Sequence, residues 1–98
     1  MARRVLEWSP AAVTDLEEIA AFIARDNPAA AEAWIDKLIA RAEKASLAPN
    51  AGRMVPEMAT REVREVFLRT YRIIYRVEPK RVVVLTIMEG HRLLKKGP

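Results

Sequence analysis

REVREVFLRTYRIIYRV, residues 61–77, sets five arginines (Arg61, Arg64, Arg69, Arg72 and Arg76) among β-branched and aromatic residues. Val, Ile, Phe and Tyr at this density suit a pleated, half-buried surface, so the stretch reads as two strands, 61–68 and 71–77. In the second strand Tyr71, Ile73, Tyr75 and Val77 fall on one face and Arg72, Ile74 and Arg76 on the other, because successive side chains alternate. Alternation in 61–68 is imperfect, which predicts a β-bulge there. Beyond the turn EPK, residues 81–88 form a third strand that is apolar on both faces, as suits the interior of a sheet.

Toward the amino terminus the period changes. Ser9 followed by Pro10 starts a helix: the hydroxyl can accept an orphan amide hydrogen bond, and proline needs no donor at the first helical position. Ala12, Leu16, Ile19, Ala20 and Ile23 then recur at three- and four-residue spacing until about Asp26. Asn27-Pro28 repeats the punctuation and opens a second helix with a stripe of Ala31, Trp34, Ile35, Leu38, Ala42 and Ala45. Two helices so closely joined make an antiparallel hairpin. Residues 3–8 alternate as a short first strand, and APNAGRMVPEMAT, residues 48–60, is the one long loop. The expected fold is α+β: an N-terminal strand, then a helical hairpin packed on one face of a small, mainly antiparallel, four-stranded sheet, in a single domain spanning 1–98. That layout sends Arg72 and Arg76 to the sheet's open face. Tyr71 and Tyr75 read as core, and Trp34 as a core or helix-interface anchor.

Composition narrows the chemistry. With no cysteine and one histidine, neither a thiolate nor an imidazole cluster can be built, so no metal or other cofactor is expected. MARRVLEWSP lacks the apolar run of a signal peptide, and the longest apolar stretch, Val82 to Met88, is too short to cross a bilayer, so a cytoplasmic protein without membrane contact is expected. Residues 1–52 carry six basic and eight acidic side chains, whereas 53–98 carry eleven and five. An anionic partner is therefore expected for the second half. A reader of the DNA major groove is not favoured, since the helices are acidic to neutral.

The order and spacing of WSPAAVTDLEEIAAFIA, NPAAAEAWIDKL, GRMVPE, VREVFLRTYRIIYRV and VVVLTIMEGHRLL resemble the RelE/ParE toxins of bacterial type II toxin-antitoxin systems, and the resemblance spans nearly the whole chain. It implies a growth-inhibiting toxin held in a hetero-oligomer by a cognate antitoxin, touching DNA only through that antitoxin. Two activities occur within the family. RelE-like members cut messenger RNA on the ribosome, and ParE-like members inhibit DNA gyrase.

RNA cleavage by 2′-hydroxyl attack needs a proton acceptor, a proton donor and fixed positive charge for the phosphorane. For a RelE-like activity the resemblance offers Arg72 in YRIIY and His91 in MEGHRLL. The tail RLLKKGP lacks the terminal tyrosine common in the nucleases, and the loop before the meander lacks their lysines. GRMVPE and the terminal EGHRLL are closer to the ParE branch, so gyrase inhibition is the expected activity, with ribosome-dependent RNA cleavage the alternative and a non-toxic binding module the reading after that. Arg53, Arg64, Arg72, Arg76 and Arg92 are the expected contacts to target or antitoxin. Against this stands the ordinary reading of strand arginines as paired residues, with Glu62, Glu65, Glu78 and Glu89 close enough to pair across strands.

Overall fold

The computed structural model describes residues 4–90. Strand β1 (Val5–Trp8) leads into helices α1 (Pro10–Ala24) and α2 (Pro28–Leu47); a 3-10 turn (Pro49–Ala51) and the short β2 (Arg53–Met54) precede the meander β3 (Val63–Leu68), β4 (Tyr71–Val77) and β5 (Arg81–Glu89). Both helix starts work as their sequence signals require. The Ser9 hydroxyl accepts from the Ala12 amide at 3.1 Å, and the Asn27 side-chain oxygen accepts from Ala30 at 3.1 Å.

The sheet has five strands in the order β1-β5-β4-β3-β2. The fifth strand is β2, two residues of the long loop that pair with Glu65 and Arg64 of β3. β1 runs parallel to β5, and every other pairing is antiparallel. β5 is interior, between β1 and β4, as its two apolar faces anticipate.

The bulge is not in β3. It lies where β4 meets β5: Ile74 faces Thr86 while Tyr75 faces Val84, leaving Leu85 unpaired. β3 alternates regularly, with Arg64, Val66 and Leu68 toward the helices and Val63, Glu65 and Phe67 away. It looks irregular only because a carboxylate, Glu65, is buried on the far face. The bulge in β5 was hidden by an apolar run whose faces cannot be told apart. It switches the parity of the strand, so that Val82 and Val84 before it and Ile87 after it all meet the helices. Two side chains of the first helix fasten this point. The Ser9 hydroxyl donates to the Leu85 carbonyl at 2.9 Å, and Asp15 accepts from the Thr86 hydroxyl at 2.5 Å and the Ile87 amide at 3.0 Å.

The main core lies between sheet and helices and is built on Leu38, Ile73, Tyr75, Val82 and Ile87, with Tyr71 half-buried at its margin. The opposite face of the sheet is not open throughout. Val55, from the segment after β2, packs with Val63 and Ile74 in a second, smaller cluster flanked by Leu85 and Met88. Residues of GRMVPE therefore close over part of that face. Gly52 permits the entry of this segment: a Cβ there would collide with the Tyr75 hydroxyl, which donates to the Pro49 carbonyl at 2.7 Å.

Candidate functional site

Arg72 stands on the strand face away from the helices, as period two requires, but it is not exposed. Its side chain is 5% accessible. The Nε and Nη2 groups donate to Glu65 Oε1 at 2.9 and 2.6 Å, and Nη1 and Nη2 donate to the two oxygens of Glu57 at 2.8 and 3.0 Å. The other oxygen of Glu65 accepts from Arg53 Nε at 2.7 Å. The result is a chain of alternating charge, Arg53-Glu65-Arg72-Glu57. The hydrogen bonds that Arg72 donates to Glu57 do most to strengthen its hold on its proton, those it donates to Glu65 add to it, and burial opposes. Both carboxylates of this group are committed to arginine, so neither is placed to take a proton from a substrate. Placing Arg72 on an open surface is thus corrected. The segment after β2 brings Glu57 over the strand, fifteen residues away in sequence, where no periodicity reports it.

Arg53 remains at the solvent edge of this group, its guanidinium 5.5 Å from the centre of the exposed Phe67 ring. Arg64 is spent on the backbone, donating to the carbonyls of Arg61, Asn50 and Gly52. Arg76 is half exposed at the other end of β4 and pairs with Glu78 at 2.8 Å. Glu78 also binds Arg81, which reaches Glu7 at 2.7 Å. Of the four glutamates expected to pair across strands, Glu65 does so with Arg72, and Glu78 binds arginines beside its own turn. Glu62 accepts from Thr60, and Glu89 has no ion pair among the described residues. His91 and Arg92 lie outside the described residues.

Cationic surface that no carboxylate neutralises, among the described residues, gathers instead around Trp34. Lys37 Nζ lies 5.5 Å and the Arg69 guanidinium 5.8 Å from its ring, and Tyr71 meets it edge-on at 6.0 Å. Arg41, one turn further along α2, donates to the Phe67 carbonyl at 3.3 Å. Sequence reading missed this group because it joins a helix to the β3–β4 turn, although the spacing Trp34-Lys37-Arg41-Lys44 marks one stripe of the helix. Arg69 holds a φ of 53° at that turn, which aims its side chain back over α2. The described residues hold no cluster of His, Cys, Asp or Glu able to bind a metal ion, and no helix among them is long and apolar enough to cross a membrane.

Comparison with known proteins follows the same lines. A family model described as the ParE toxin of the type II toxin-antitoxin system parDE matches residues 6–94. Among solved structures, a chain described as "Chromosomal ParDE TA system from P. aeruginosa" superposes with a TM-score of 0.74 over 89% of this chain and 96% of its own, at 21% identity. At that identity the likeness speaks for the α+β fold. No curated protein matches the chain in sequence.

Proposed function

The chain belongs to the family of ParE toxins of type II toxin-antitoxin systems, and from that membership we propose that it arrests bacterial growth by inhibiting DNA gyrase and is held inactive by a cognate antitoxin. The observation that carries the choice of target is the state of Arg72. A RelE-like nuclease using Arg72 would have to turn its guanidinium on the phosphorane. Here that group is 5% exposed and fixed between Glu57 and Glu65. Releasing it would break the buried ion pair with Glu65, which costs roughly 3 to 5 kcal/mol. Inhibition by surface contact asks for no such release.

Contact to an acidic antitoxin segment, or to the target, falls to the cations around Trp34 that no described carboxylate neutralises: the exposed Lys37 and Arg69 and the half-buried Arg41. Arginine and tryptophan are enriched among residues that dominate binding energy at interfaces, and unpaired surface charge steers an oppositely charged partner. Arg53, Arg64 and Arg76, also expected as contacts, are already engaged with Glu65, backbone carbonyls and Glu78, and Arg92 keeps that role as a proposal.

The test uses purified chain, gyrase and relaxed plasmid. Excess toxin should abolish supercoiling, and prior addition of the antitoxin encoded beside it should restore it. Unchanged supercoiling together with cleavage of ribosome-bound message would reverse the assignment.

A further inference from the structure

The uncompensated positive charge does not stop at Trp34. Helix α2 runs antiparallel to β3: Trp34 meets Arg69 at the strand's end, Arg41 meets the Phe67 carbonyl, and Asn50, just past the helix, meets Arg64. α2 carries three acidic and three basic residues and is neutral as a whole, yet its charges are sorted. At about 100° per residue, Lys37, Arg41 and Lys44 fall on the flank that faces β3, and Glu32, Asp36 and Glu43 on the opposite flank. Lys37, Lys44, Arg61 and Arg69 are exposed and make no ion pair among the described residues. At the end away from Trp34 an open hollow of about 490 Å³ is lined by Asn50, Arg61, Glu62, Arg64 and Val77. Glu62 is its one carboxylate among these, and it accepts from Thr60. Arg64 is held there by three backbone carbonyls through Nε and Nη1, which leaves Nη2 without a partner among the described residues.

The form of this edge selects among anions. From Arg64 to Arg69 the chain advances roughly 17 Å at about 3.4 Å per residue, and Arg61, Arg64, Lys44, Arg41, Lys37 and Arg69 succeed one another along it. One strand of B-DNA carries a phosphate about every 3.4 Å of axis, so the same length meets roughly five phosphates. The aromatic rings are already engaged, Trp34 by Lys37, Arg69 and Tyr71 and Phe67 by Arg53, which suits the edge to phosphates more than to stacked bases. An extended peptide needs side-chain pockets as well as charge. The hollow beside Arg61 offers polar walls instead, with Val77 alone apolar.

We propose that the α2–β3 edge binds the phosphate backbone of duplex DNA directly and without regard to sequence. This departs from the expectation that the chain touches DNA only through its antitoxin. Backbone contact needs no basic helix in the major groove, so the acidic-to-neutral balance of the helices, which argued against groove reading, does not oppose it. Trp34, Lys37 and Arg69 are shared with the antitoxin contact proposed above, whereas Lys44 and Arg61 serve DNA alone. Substitutions at those two positions therefore separate a failure here from a failure of that reading, and gyrase inhibition is not required.

Fluorescence anisotropy of the purified full chain with labelled duplexes of two unrelated sequences should give equal affinities, with dissociation constants of roughly 10⁻⁴ to 10⁻⁶ M at physiological salt. The logarithm of affinity should fall against the logarithm of salt with a slope of about −4 to −5, as counterions leave the contacted phosphates. Lys44→Glu with Arg61→Glu should weaken binding at least tenfold and flatten the slope by about two. Arg25→Glu with Arg76→Glu, at the turn between the helices and on the opposite face of the sheet, makes the same change in net charge and should leave affinity and slope nearly unchanged. Urea midpoints verify that both variants fold. Equal losses from the two variants would overturn the proposal by reducing it to net charge, and absence of binding at low salt would overturn it outright. Preference for single-stranded over duplex DNA would also overturn it. So would displacement of the duplex by polyglutamate at equal concentration of charge, which would assign the edge to an acidic peptide.

Discussion

Two groups of alternating charge occupy the same face of the sheet, one at each end of β4. Each contains two arginines and two glutamates: Arg53-Glu65-Arg72-Glu57 at one end and Arg76-Glu78-Arg81-Glu7 at the other. Composition and hydrogen-bond chemistry are alike, and burial is not. Glu65 and Arg72 are 0% and 5% exposed, whereas Arg76 and Arg81 are each 42% exposed. The first group is roofed by the segment carrying Val55 and Glu57, and the second has no such cover among the described residues. Exposed pairs gain little, because water screens them and ordering long side chains costs entropy. A buried pair is hardly better than an apolar replacement, yet losing one member is expensive. Arg72 thus serves the fold by fixing the segment after β2 onto the sheet, and the exposed group is left as surface.

The largest effect expected from breaking this symmetry is at Arg72. Arg72→Glu would place three carboxylates together in a covered site and should leave no folded protein in mild urea, since breaking a buried pair costs about 3–5 kcal/mol and domains of this size are stable by only about 5–15 kcal/mol. Arg76→Glu should fold with an almost unchanged urea midpoint. Replacing the buried pair as a unit, Glu65→Met with Arg72→Met, should recover much of the loss, because Arg53 and Glu57 can turn to water. Similar midpoints for Arg72→Glu and Arg76→Glu would show that burial does not separate the two groups.

A smaller effect, about 1–3 kcal/mol, is expected where the roof enters. Gly52→Ala drives a methyl into the Tyr75 hydroxyl and should displace its hydrogen bond to Pro49. Removing the obstructing atom with Tyr75→Phe should make the two losses less than additive in a double-mutant cycle. Strict additivity would mean that Gly52 is required for some other reason. Nothing of the kind is expected near the exposed group.

Binding should order the surfaces differently. Lys37→Glu with Arg69→Glu, in the unneutralised group around Trp34, should weaken antitoxin binding by about tenfold or more, the worth of roughly 1.4 kcal/mol. Arg76→Glu, which alters a cation already shared with Glu78, should change it far less. Titration calorimetry or surface capture at two salt concentrations separates the cases, since the Trp34 effect should shrink with ionic strength.

Much of this architecture is legible in the sequence because it is written in local terms. Ser9-Pro10 and Asn27-Pro28 state where the helices begin, and the two-faced apolarity of 81–88 states that β5 is interior. The site was less legible because its decisive partners are not local. Period two put Arg72 on the correct side of β4, but whether that side is dry depends on Val55 and Glu57, in a loop whose path no periodicity describes. The same loop supplies β2, which raised the sheet from four expected strands to five. Lys37 and Arg41 read as ordinary helix-surface charges until the turn residue Arg69 is brought over Trp34 by tertiary structure. GRMVPE was read as a family mark. Its residues turn out to be the roof itself: Gly52 at Tyr75, Arg53 on Glu65, Val55 in the second cluster and Glu57 on Arg72.

The smallest effect should come from acid acting on the exposed group. Hydrogen bonds from Arg81 and then Arg76 hold the Glu78 carboxyl below its ordinary value of 4.5. A carboxylate whose pKa is depressed by folding adds stability that is complete above its unfolded pKa and is lost as pH falls through the lower folded value. The difference in urea midpoint between the native chain and Glu78→Gln should therefore be constant from pH 7 down to about 4.5, the unfolded value, and close below it. Added salt should shrink it at every pH above that window, because these partners are at the surface. A difference that kept its full size at pH 3 would mean that Glu78 acts through packing and not through charge, and the contrast between the two ends of β4 would then rest on burial of side-chain area alone.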